Sequence, residues 1–420
     1  MQESIFFGVR ILLQEEIINR VDLEQLYQHS LAIEGIRHFQ VNPEKLTETA
    51  DYIRKELKAY GLQVQEQVFT FDGIPHEFKN IEGILGDEKK PALLITSHYD
   101  TVQNSPGAND NGSGVVAMLE VARILARQKM DNFCLRFVSF TQEETHPIFY
   151  SRLFKKRLEL GLVDKKDRYL RFHTQQLVKN FLKQFWRLIS TGRSYIEGAK
   201  LTFEIFKDDL DEREQAYFSY LLELLQESKD PTDWIGRTAL VGSTKYVEKA
   251  MKEKRDILGV INLETIGYTS SRKHSQLIPS IIFKLFPKYR TNLRQEIGNF
   301  IGIISDKQSH ALAKFFCQQC KKANIKLPYV NYCLPYNFET LAVKVRDSLR
   351  SDHAPFLKYG IPAIMVTDTA NFRYPFYHTE ADTIDKLDFH FIRKVCQATL
   401  VTALQFEKFL SKKAERKTTP

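Results

Sequence analysis

The sequence predicts an α/β protein of three layers, α/β/α, in which helices cover both faces of a mostly parallel, mixed central sheet. Three observations predict this class. Four apolar runs have the length and composition of buried strands, at residues 91–97, 133–141, 256–264 and 360–368. Helical patterns alternate with these runs, as is typical of parallel sheets that are covered on both faces. The chain of 420 residues, 43% of them hydrophobic, is also large enough to bury an extensive core.

Helix-capping residues and the spacing of apolar residues predict the helices and strands that precede the first buried strand. Residues 1–40 have a helical pattern, and the N-terminus predicts an amphipathic helix of the folded body rather than a signal peptide. Asn42 and Pro43 open a second helix, which Gly61 ends. Residues 62–71 alternate between apolar and polar, which predicts a half-exposed strand, and residues 78–86 are its expected hairpin partner. Further helices are predicted at about 112–128 and from Asp388 to about Leu410.

One region interrupts the alternation of strands and helices. We predict a single α/β domain over residues 1–420, with a helical insertion at 146–237. Residues 151–200 are strongly basic and residues 204–233 are acidic, so two complementary halves are expected to pair as a small subdomain that covers the cleft or docks a partner. An alternative use of the insertion is peripheral membrane contact through the amphipathic, basic stretch Leu177–Ile189.

Composition limits the class of partner. The formal net charge of +8 is modest for 420 residues, and we expect no nucleic-acid partner. No run reaches the roughly 18 apolar residues of a membrane-spanning helix. The five cysteines and the absence of an export signal predict a reducing, cytoplasmic location. Cys317 and Cys320 have the spacing of a zinc knuckle, but no second pair follows them, and we interpret them as two positions on one helix face. Oligomeric state stays open.

Acidic and imidazole side chains gather where the predicted strands end. Because the carboxyl ends of parallel strands meet at one edge of the sheet, these groups are expected to converge. They are His98, Asp100, Asp110, Glu143, Glu144, Glu264, Asp352, His353 and His378.

Such a set can hold two divalent cations. Two imidazoles and three carboxylates, one of them bridging, favour zinc, with manganese or cobalt as substitutes. A cation pair activates a water molecule and polarises a carbonyl group. A free carboxylate must then move the proton, and Glu143 and Glu144 suit a division into one base and one ligand. Asp100 can accept the other N–H of His98 and so fix its tautomer.

Six motifs in order resemble those of the co-catalytic di-zinc aminopeptidases, a family that includes bacterial leucyl aminopeptidases, glutamate carboxypeptidases and glutaminyl cyclases. The motifs lie at residues 97–102, 107–114, 142–144, 262–268, 351–356 and 377–383. The resemblance implies that His98 and Glu264 bind one zinc ion and that Glu144 and His378 bind the other. It also implies that Asp110 bridges the two ions and precedes a cis peptide bond, and that Glu143 is the general base.

The chain departs from that family pattern in three ways. Glu264 stands where the family more often has aspartate. In the family, a Gly-Ser pair usually follows the Glu-Glu pair within a few residues. Here the matching pair is Gly242-Ser243, much further along the chain, so a long insertion separates the two pairs. The family is often secreted, whereas this sequence carries no recognisable export signal. An insertion that begins beside the base is expected to limit the size of the substrate.

The sequence therefore predicts a zinc-dependent exopeptidase, most simply an aminopeptidase that acts on short peptides. The alternatives are a single-zinc enzyme of the glutaminyl cyclase type and a catalytically silent protein whose insertion mediates docking. Asp352 and His353 either face the substrate or ligands, or cap a helix that begins at Ala354. Ser113 is interpreted as a residue that stabilises the N-terminus of a helix rather than as a nucleophile. Arg37 and His38 are interpreted as structural residues.

Overall fold

The sheet has eight strands, in the order β1-β2-β4-β3-β5-β8-β6-β7. The computed structural model describes residues 15–191, 193–227, 230, 232–286 and 296–411. The predicted N-terminal helix therefore lies mostly outside the described residues, and so do the basic tail from 412 onwards and part of the loop 268–297. The strands are β1 Gln63–Phe71, β2 Ile74–Leu85, β3 Ala92–His98, β4 Cys134–Phe140, β5 Ile257–Glu264, β6 Ile301–Ser305, β7 Tyr329–Cys333 and β8 Ala363–Thr367.

Thirteen α-helices with assigned bounds lie in the described residues. The first seven are α1 Leu23–Ile33, α2 Pro43–Ala59, α3 Gly114–Leu125, α4 Pro147–Glu159, α5 Phe172–Ser190, α6 Tyr195–Phe206 and α7 Glu212–Gln226. The others are α8 Val241–Lys252, α9 Ser280–Leu285, α10 His310–Cys320, α11 Phe338–Lys344, α12 His353–Lys358 and α13 Phe389–Leu404. None of these helices combines the length and the apolar character that crossing a membrane requires.

The centre of the sheet is parallel and its margins are mixed. Strand β3 pairs in parallel with β4 and β5, and β5 pairs in parallel with β8. The hairpin β1–β2 joins β4 antiparallel, while β6 runs antiparallel to β8 and parallel to β7. The predicted fold class is confirmed, with its mixed sheet, and the four buried runs are the four central strands. The short strands β6 and β7 were not anticipated.

Side chains of the central strands alternate between two apolar layers. Leu93 and Ile95 of β3 pack into the layer that contains α1, α2, α3, α10 and α13. Leu94 packs into the opposite layer with α8, α11 and α12. All seven residues of β3 are buried, because both faces of the sheet are covered. This arrangement leaves the carboxyl ends of the strands as the place where polar side chains can converge.

Helix α2 begins and ends as its sequence predicts. The Asn42 side chain accepts a hydrogen bond from the Lys45 backbone N–H at 3.2 Å, and Pro43 occupies the first turn. Gly61 follows the helix with φ +88°, a backbone conformation that glycine adopts without strain. The apolar positions of the helix are buried against the sheet.

Helices α4 to α7 pack around an apolar cluster of their own, in which Phe181, Phe185 and Phe218 are completely buried. The basic and acidic halves meet in ion pairs, with Arg152 3.2 Å or less from Glu227 and Arg171 3.0 Å from Asp211. Four apolar side chains of the stretch considered for membrane contact belong to this cluster: Leu177, Phe181, Phe185 and Ile189 are at most 7% exposed. Those side chains are therefore not available to a membrane. The division into a single domain with an insertion stays a prediction.

Cys317 and Cys320 are both buried on α10 within the core. All five cysteines are free thiols, and none belongs to a cluster of potential metal ligands among the described residues. Their interpretation as core residues agrees with this burial.

Candidate metal centre

The register of the sheet brings two of the predicted ligands to the same level. Thr96 of β3 pairs with Asn262 of β5, so His98 and Glu264, two residues further along their strands, lie side by side at the carboxyl edge. The pair Glu143–Glu144 follows the end of β4, the other neighbour of β3. His378 comes from the loop after β8. Four strands thus deliver their side chains to one edge.

The carboxylate of Asp110 lies between the two imidazoles. Its Oδ1 is 3.5 Å from Nε2 of His98, and its Oδ2 is 3.0 Å from Nε2 of His378. Nε2 of His98 is also 3.3 Å from Oε2 of Glu264, and Nε2 of His378 is 3.1 Å from Oε2 of Glu144. Two sets of three potential ligands therefore share Asp110, and within each set the ligand atoms lie within 4.8 Å of one another. The structure brings all five predicted ligands together.

These side chains fit a pair of cations. Four of their buried atoms have no hydrogen-bond partner among the described residues: Nε2 of His98, Oδ2 of Asp110, Oε1 of Glu144 and Nε2 of His378. Buried polar atoms without a partner are rare and costly, so several of them around one point indicate a missing ligand. Ligands about 2.0–2.1 Å from a tetrahedral zinc ion lie about 3.3 Å from each other. The separations of 3.0–3.5 Å match that spacing.

Glu143 lies beside both sets. Its Oε2 is 3.9 Å from Nε2 of His98, and its carboxylate forms a third potential group with His98 and Glu144. Burial raises the pKa of Glu143 well above its usual value, and the carboxylates of Glu144, Glu264 and Asp352 raise it further. Nearby His98 opposes the shift.

The electrostatics of the cluster reflect a surplus of acid. Burial raises the pKa of Glu144 to about 7, and the charge of Asp110 adds to that effect. Burial would also raise the pKa of Asp110, but its contacts with His378 and His98 hold it well below the usual range. Burial disfavours the charged form of His378, yet Glu144 and Asp110 raise its pKa to about 10. A site that stabilises positive charge in this way favours cations.

Asp100 holds the backbone that carries the Glu-Glu pair. Its Oδ1 accepts a hydrogen bond from the Glu143 N–H at 3.0 Å, and its Oδ2 accepts one from the Glu144 N–H at 3.1 Å. The imidazole Nδ1 of His98 lies 3.2 Å from the Asp100 carbonyl oxygen and 3.5 Å from Oδ1. The sequence suggested that the Asp100 carboxylate orients His98, and the structure adds the shorter contact to its carbonyl. Asp100 acts here as a positioning residue.

A chain of hydrogen bonds fixes Glu264. Thr96 donates to Asn262 Oδ1 at 2.8 Å, Asn262 donates to Ser351 Oγ at 2.6 Å, and Ser351 donates to Glu264 Oε2 at 2.6 Å. The longer glutamate side chain is thereby tied at its tip. Ser351 comes from the predicted motif 351–356, but no local pattern indicates which side chain it contacts.

Asp382 supports the segment that carries Asp110. It accepts hydrogen bonds from the backbone N–H groups of Asn109 at 2.8 Å and Asp110 at 3.1 Å, and from the Tyr374 hydroxyl at 2.7 Å. The peptide bond between Asp110 and Asn111 is cis, as the family resemblance implied. Asp382 lies in the sixth motif, and sequence reasoning assigned it no role.

Gly107 allows that segment to approach its neighbours. Its φ is +64°, and an added Cβ would lie 2.3 Å from Cγ2 of Thr101 and 2.5 Å from the Asp110 carbonyl oxygen. Arg37 is completely buried and donates to five backbone carbonyl groups, including those of Tyr99 and Gly107. The structural role suggested for Arg37 agrees with these contacts.

Asp352 and His353 differ in their surroundings. Neither residue is exposed, and both carboxylate oxygens of Asp352 lack a hydrogen-bond partner among the described residues. Asp352 precedes α12 but makes no capping hydrogen bond, so it is not a side-chain cap. Burial raises its pKa to about 7, and its charge acts on the same cluster. His353 lies 2.9 Å from the Ser348 carbonyl oxygen, and burial lowers its pKa to about 4, as expected of a neutral structural histidine.

Ser113 belongs to the structural frame, because its hydroxyl donates to the Asn109 carbonyl oxygen at 2.7 Å and accepts from the Ile266 N–H at 2.9 Å. These bonds join the start of α3 to the segment after β5, where the sequence suggested helix N-terminal chemistry.

Comparisons with known proteins agree with this site. A family model described as "Peptidase family M28" matches residues 80–166 and 227–403. The uncharacterised protein YfbL of Escherichia coli (strain K12) is 23% identical over 368 residues, which are 86% of this chain and 80% of YfbL. Aminopeptidase YwaD of Bacillus subtilis (strain 168) is 41% identical over 102 residues, which are 24% of this chain and 20% of YwaD.

The fold also matches a solved structure. The LapA aminopeptidase of Legionella pneumophila superposes with a TM-score of 0.55 at 14% sequence identity, over 94% of this chain and 74% of LapA. At that identity the likeness concerns the fold alone. The family model covers well over half of the chain and includes each of the predicted ligands. The chain belongs to peptidase family M28 and is a metallopeptidase.

Proposed function

We propose that this chain is an aminopeptidase that removes N-terminal residues from peptides, with two zinc ions held by its five converging ligands. The observation that carries the proposal is the shared carboxylate, because each oxygen of Asp110 faces a different imidazole. His98 and Glu264 would complete one site, and Glu144 and His378 the other. The similarity to aminopeptidase YwaD supports the choice of substrate class.

Glu143 is the proposed general base. When bound, the two ions would polarise the scissile carbonyl and lower the pKa of a water molecule. Glu143 would take one proton from that water as its oxygen attacks the carbonyl carbon. It would then give the proton to the departing amine as the carbon–nitrogen bond breaks. The raised pKa of Glu143 supports this proposal, because the same carboxyl group must both accept and release a proton.

The acid surplus would also bind the substrate's free amino group. Among the carboxylates that are not assigned to the cations, Asp352 has two oxygens without a hydrogen-bond partner among the described residues, and an ammonium group that enters the cleft would be attracted to that charge. A charged N-terminus therefore gains a favourable interaction that an acetylated one lacks. This difference supports an exopeptidase over an endopeptidase.

Metal analysis combined with a panel of aminoacyl-arylamides tests the proposal. We expect about two zinc ions per chain and release of the arylamine, with no release from N-acetylated substrates. About one zinc ion per chain, together with ammonia release from peptides with N-terminal glutamine, would identify a glutaminyl cyclase instead. Binding of two ions without turnover would favour the catalytically silent alternative.

Replacement of the base tests its role. Glu143→Gln should lower kcat by two to four orders of magnitude, about the contribution of a general base, with zinc content unchanged. Glu48→Gln, at an exposed position of α2, is the matched control and should leave kcat unchanged. Near-normal turnover of the Glu143 variant would contradict the assignment.

We also propose that residues 146–237 form a helical insertion within a single domain. Two findings support this division: helices α4 to α7 share an apolar cluster of their own, and the family model leaves residues 167–226 unmatched. Limited proteolysis should cut first at the ends of this segment, and cuts within the sheet before that would argue against the division. A cytoplasmic location is likewise proposed, and fractionation of cells that produce the full chain would test it.

A further inference from the structure

A short turn between α4 and α5 presents an unusual set of side chains to solvent. We call residues 164–173 the basic turn. Within it, seven side chains are exposed, and none of them is acidic: they are Lys165, Lys166, Arg168, Leu170, Arg171, Phe172 and His173. Leu170 is 62% exposed and Phe172 is 74% exposed, which makes Phe172 the most exposed large apolar side chain of the described residues. Exposed apolar side chains surrounded by cations indicate a contact surface.

Hydrogen bonds hold the basic turn in shape. The Asp164 N–H donates to the Arg168 carbonyl at 3.0 Å, and the Leu170 N–H donates to the Leu162 carbonyl at 3.0 Å. The Asp164 carboxylate accepts from the backbone N–H groups of Lys166 at 2.8 Å and Arg168 at 3.0 Å. Because the backbone is tied in this way, the exposed side chains need little ordering before they bind a surface.

The acid at the centre of the turn is turned inwards. Asp167 is 5% exposed, and its carboxylate accepts two hydrogen bonds from the buried guanidinium of Arg157, at 3.0 and 2.6 Å. It also accepts one from the Tyr150 hydroxyl at 2.9 Å. The negative charge of Asp167 is thereby neutralised within the protein, and it does not offset the cations outside.

The remaining charges leave the turn cationic. Arg168 pairs with Asp164 at 2.6 Å, and Arg171 pairs with Asp211 at 3.0 Å. Lys165 and Lys166 have no carboxylate within 4.0 Å among the described residues. The turn therefore exposes two lysines and two ion-paired arginines together with Leu170 and Phe172, and its net charge is positive.

We propose that the basic turn docks the protein on an anionic lipid surface, with Leu170 and Phe172 entering the interface and the lysines contacting the headgroups. An apolar pair beside basic residues is the combination that binds such surfaces, because burial and electrostatic attraction add. Protein interfaces are depleted in lysine, whereas this turn exposes both Lys165 and Lys166. A nucleic acid would use the cations and could stack one base on Phe172, but it gains little from Leu170, which is also exposed and has no aromatic face.

Vesicle co-sedimentation of the full chain tests the proposal. We expect the protein to sediment with phosphatidylcholine vesicles that contain phosphatidylserine, to remain in solution with phosphatidylcholine alone, and to be released by high salt. Absence of sedimentation, or equal sedimentation with both compositions, would overturn the proposal. Binding to nucleic acid or to another protein without binding to the anionic vesicles would overturn it as well.

Two variants locate the contact. The double changes Leu170→Ser with Phe172→Ser, and Lys165→Gln with Lys166→Gln, should each lower the partition coefficient at least about tenfold. The matched controls lie elsewhere: Leu277→Ser, at a side chain that is also 62% exposed, and Lys129→Gln, at a lysine that is 87% exposed. Both controls should sediment like the unchanged protein. Far-UV circular dichroism checks folding independently of peptidase activity, and undiminished sedimentation of both double variants would reject this turn as the contact.

Discussion

The carboxylate of Asp100 holds the backbone of Glu143 and Glu144 in place but does not contact the atoms that are predicted to bind metal. The substitution Asp100→Asn tests this positioning role. Its two oxygens each accept one backbone N–H, at 3.0 and 3.1 Å. Asparagine has the same shape, but its amide group offers one oxygen and one NH2. One of the two N–H groups would therefore face another donor instead of an acceptor.

The expected magnitude follows from those contacts. The change removes one hydrogen bond to a charged group, worth about 1.5–3 kcal/mol, and leaves a buried N–H without an acceptor, at a cost of about 1–3 kcal/mol. Asp100 is 2% exposed, so water cannot replace the lost partner easily. We expect a destabilisation of about 2.5–6 kcal/mol and displacement of the Glu-Glu pair. Because supporting groups of this kind typically change metal affinity 10–100-fold, zinc should also be bound more weakly.

Three measurements follow: the free energy of unfolding, zinc affinity by competition with a chelator, and kcat for an aminoacyl-arylamide. The matched control is Asp87→Asn, because Asp87 also accepts a backbone N–H, from Lys89 at 3.0 Å, but in an exposed turn. A variant at Asp100 with unchanged stability, zinc affinity and kcat would refute the reasoning. A loss of stability alone, with normal zinc affinity and turnover, would refute the positioning role and leave a purely structural one.

Three further predictions concern the same core. Ser351→Ala removes the 2.6 Å hydrogen bond to Glu264 and should weaken zinc affinity about tenfold or more by competition, whereas Ser351→Thr should retain it. Removal of zinc by a chelator should lower Tm, and return of zinc should restore it, since cations stabilise only the folded site. Burial lowers the pKa of His29, His38 and His353 to about 4, so each of these side chains binds a proton more readily in the unfolded chain, and its own contribution to stability falls as pH decreases from 6.5 to 4. His29→Gln should therefore make Tm less sensitive to acid over that range, and a variant whose Tm follows the same pH profile as the unchanged protein would contradict this.

The sequence allowed prediction of the features that local pattern determines. Strands β3, β4, β5 and β8 are apolar runs whose lengths and flanking helices identify them, and the polar residues that follow them therefore meet at one edge. His98 and Glu264 could be placed because both end such strands. Strands β6 and β7 have only five residues each and lie near the margin of the sheet, where β7 alternates between buried and half-buried positions. Such short segments carry too little periodicity to be distinguished from loops.

Contacts between distant parts of the chain could not be predicted. Asp382 reaches Asn109 across 273 residues, and Ser351 reaches Glu264 across 87 residues, so neither partnership has a local pattern. The amphipathic stretch Leu177–Ile189 is a second example of a feature that depends on contacts between distant parts of the chain. Its periodicity identified an apolar face, but only the packing of α6 and α7 against α5 decides that this face is covered. The basic turn, which has no periodicity, carries the two most exposed large apolar side chains among the described residues of the insertion, Leu170 and Phe172.

The acid content of the centre links metal binding to folding. Six carboxyl groups converge there with only two imidazoles: Asp100, Asp110, Glu143, Glu144, Glu264 and Asp352, of which five are at most 8% exposed and Glu144 is half-buried. Without cations, buried carboxylates repel one another, and burial raises the pKa of Glu144 and of Asp352 to about 7, so that protons are retained at neutral pH. Cations would relieve this repulsion and release those protons. Zinc binding should therefore be accompanied by proton release that is larger near pH 6 than near pH 8, because above pH 7 fewer carboxyl groups still hold a proton. Titration calorimetry in buffers of different ionisation enthalpy measures the number of protons released when zinc binds. A number that does not change with pH would contradict this link between the surplus of carboxyl groups and cation binding.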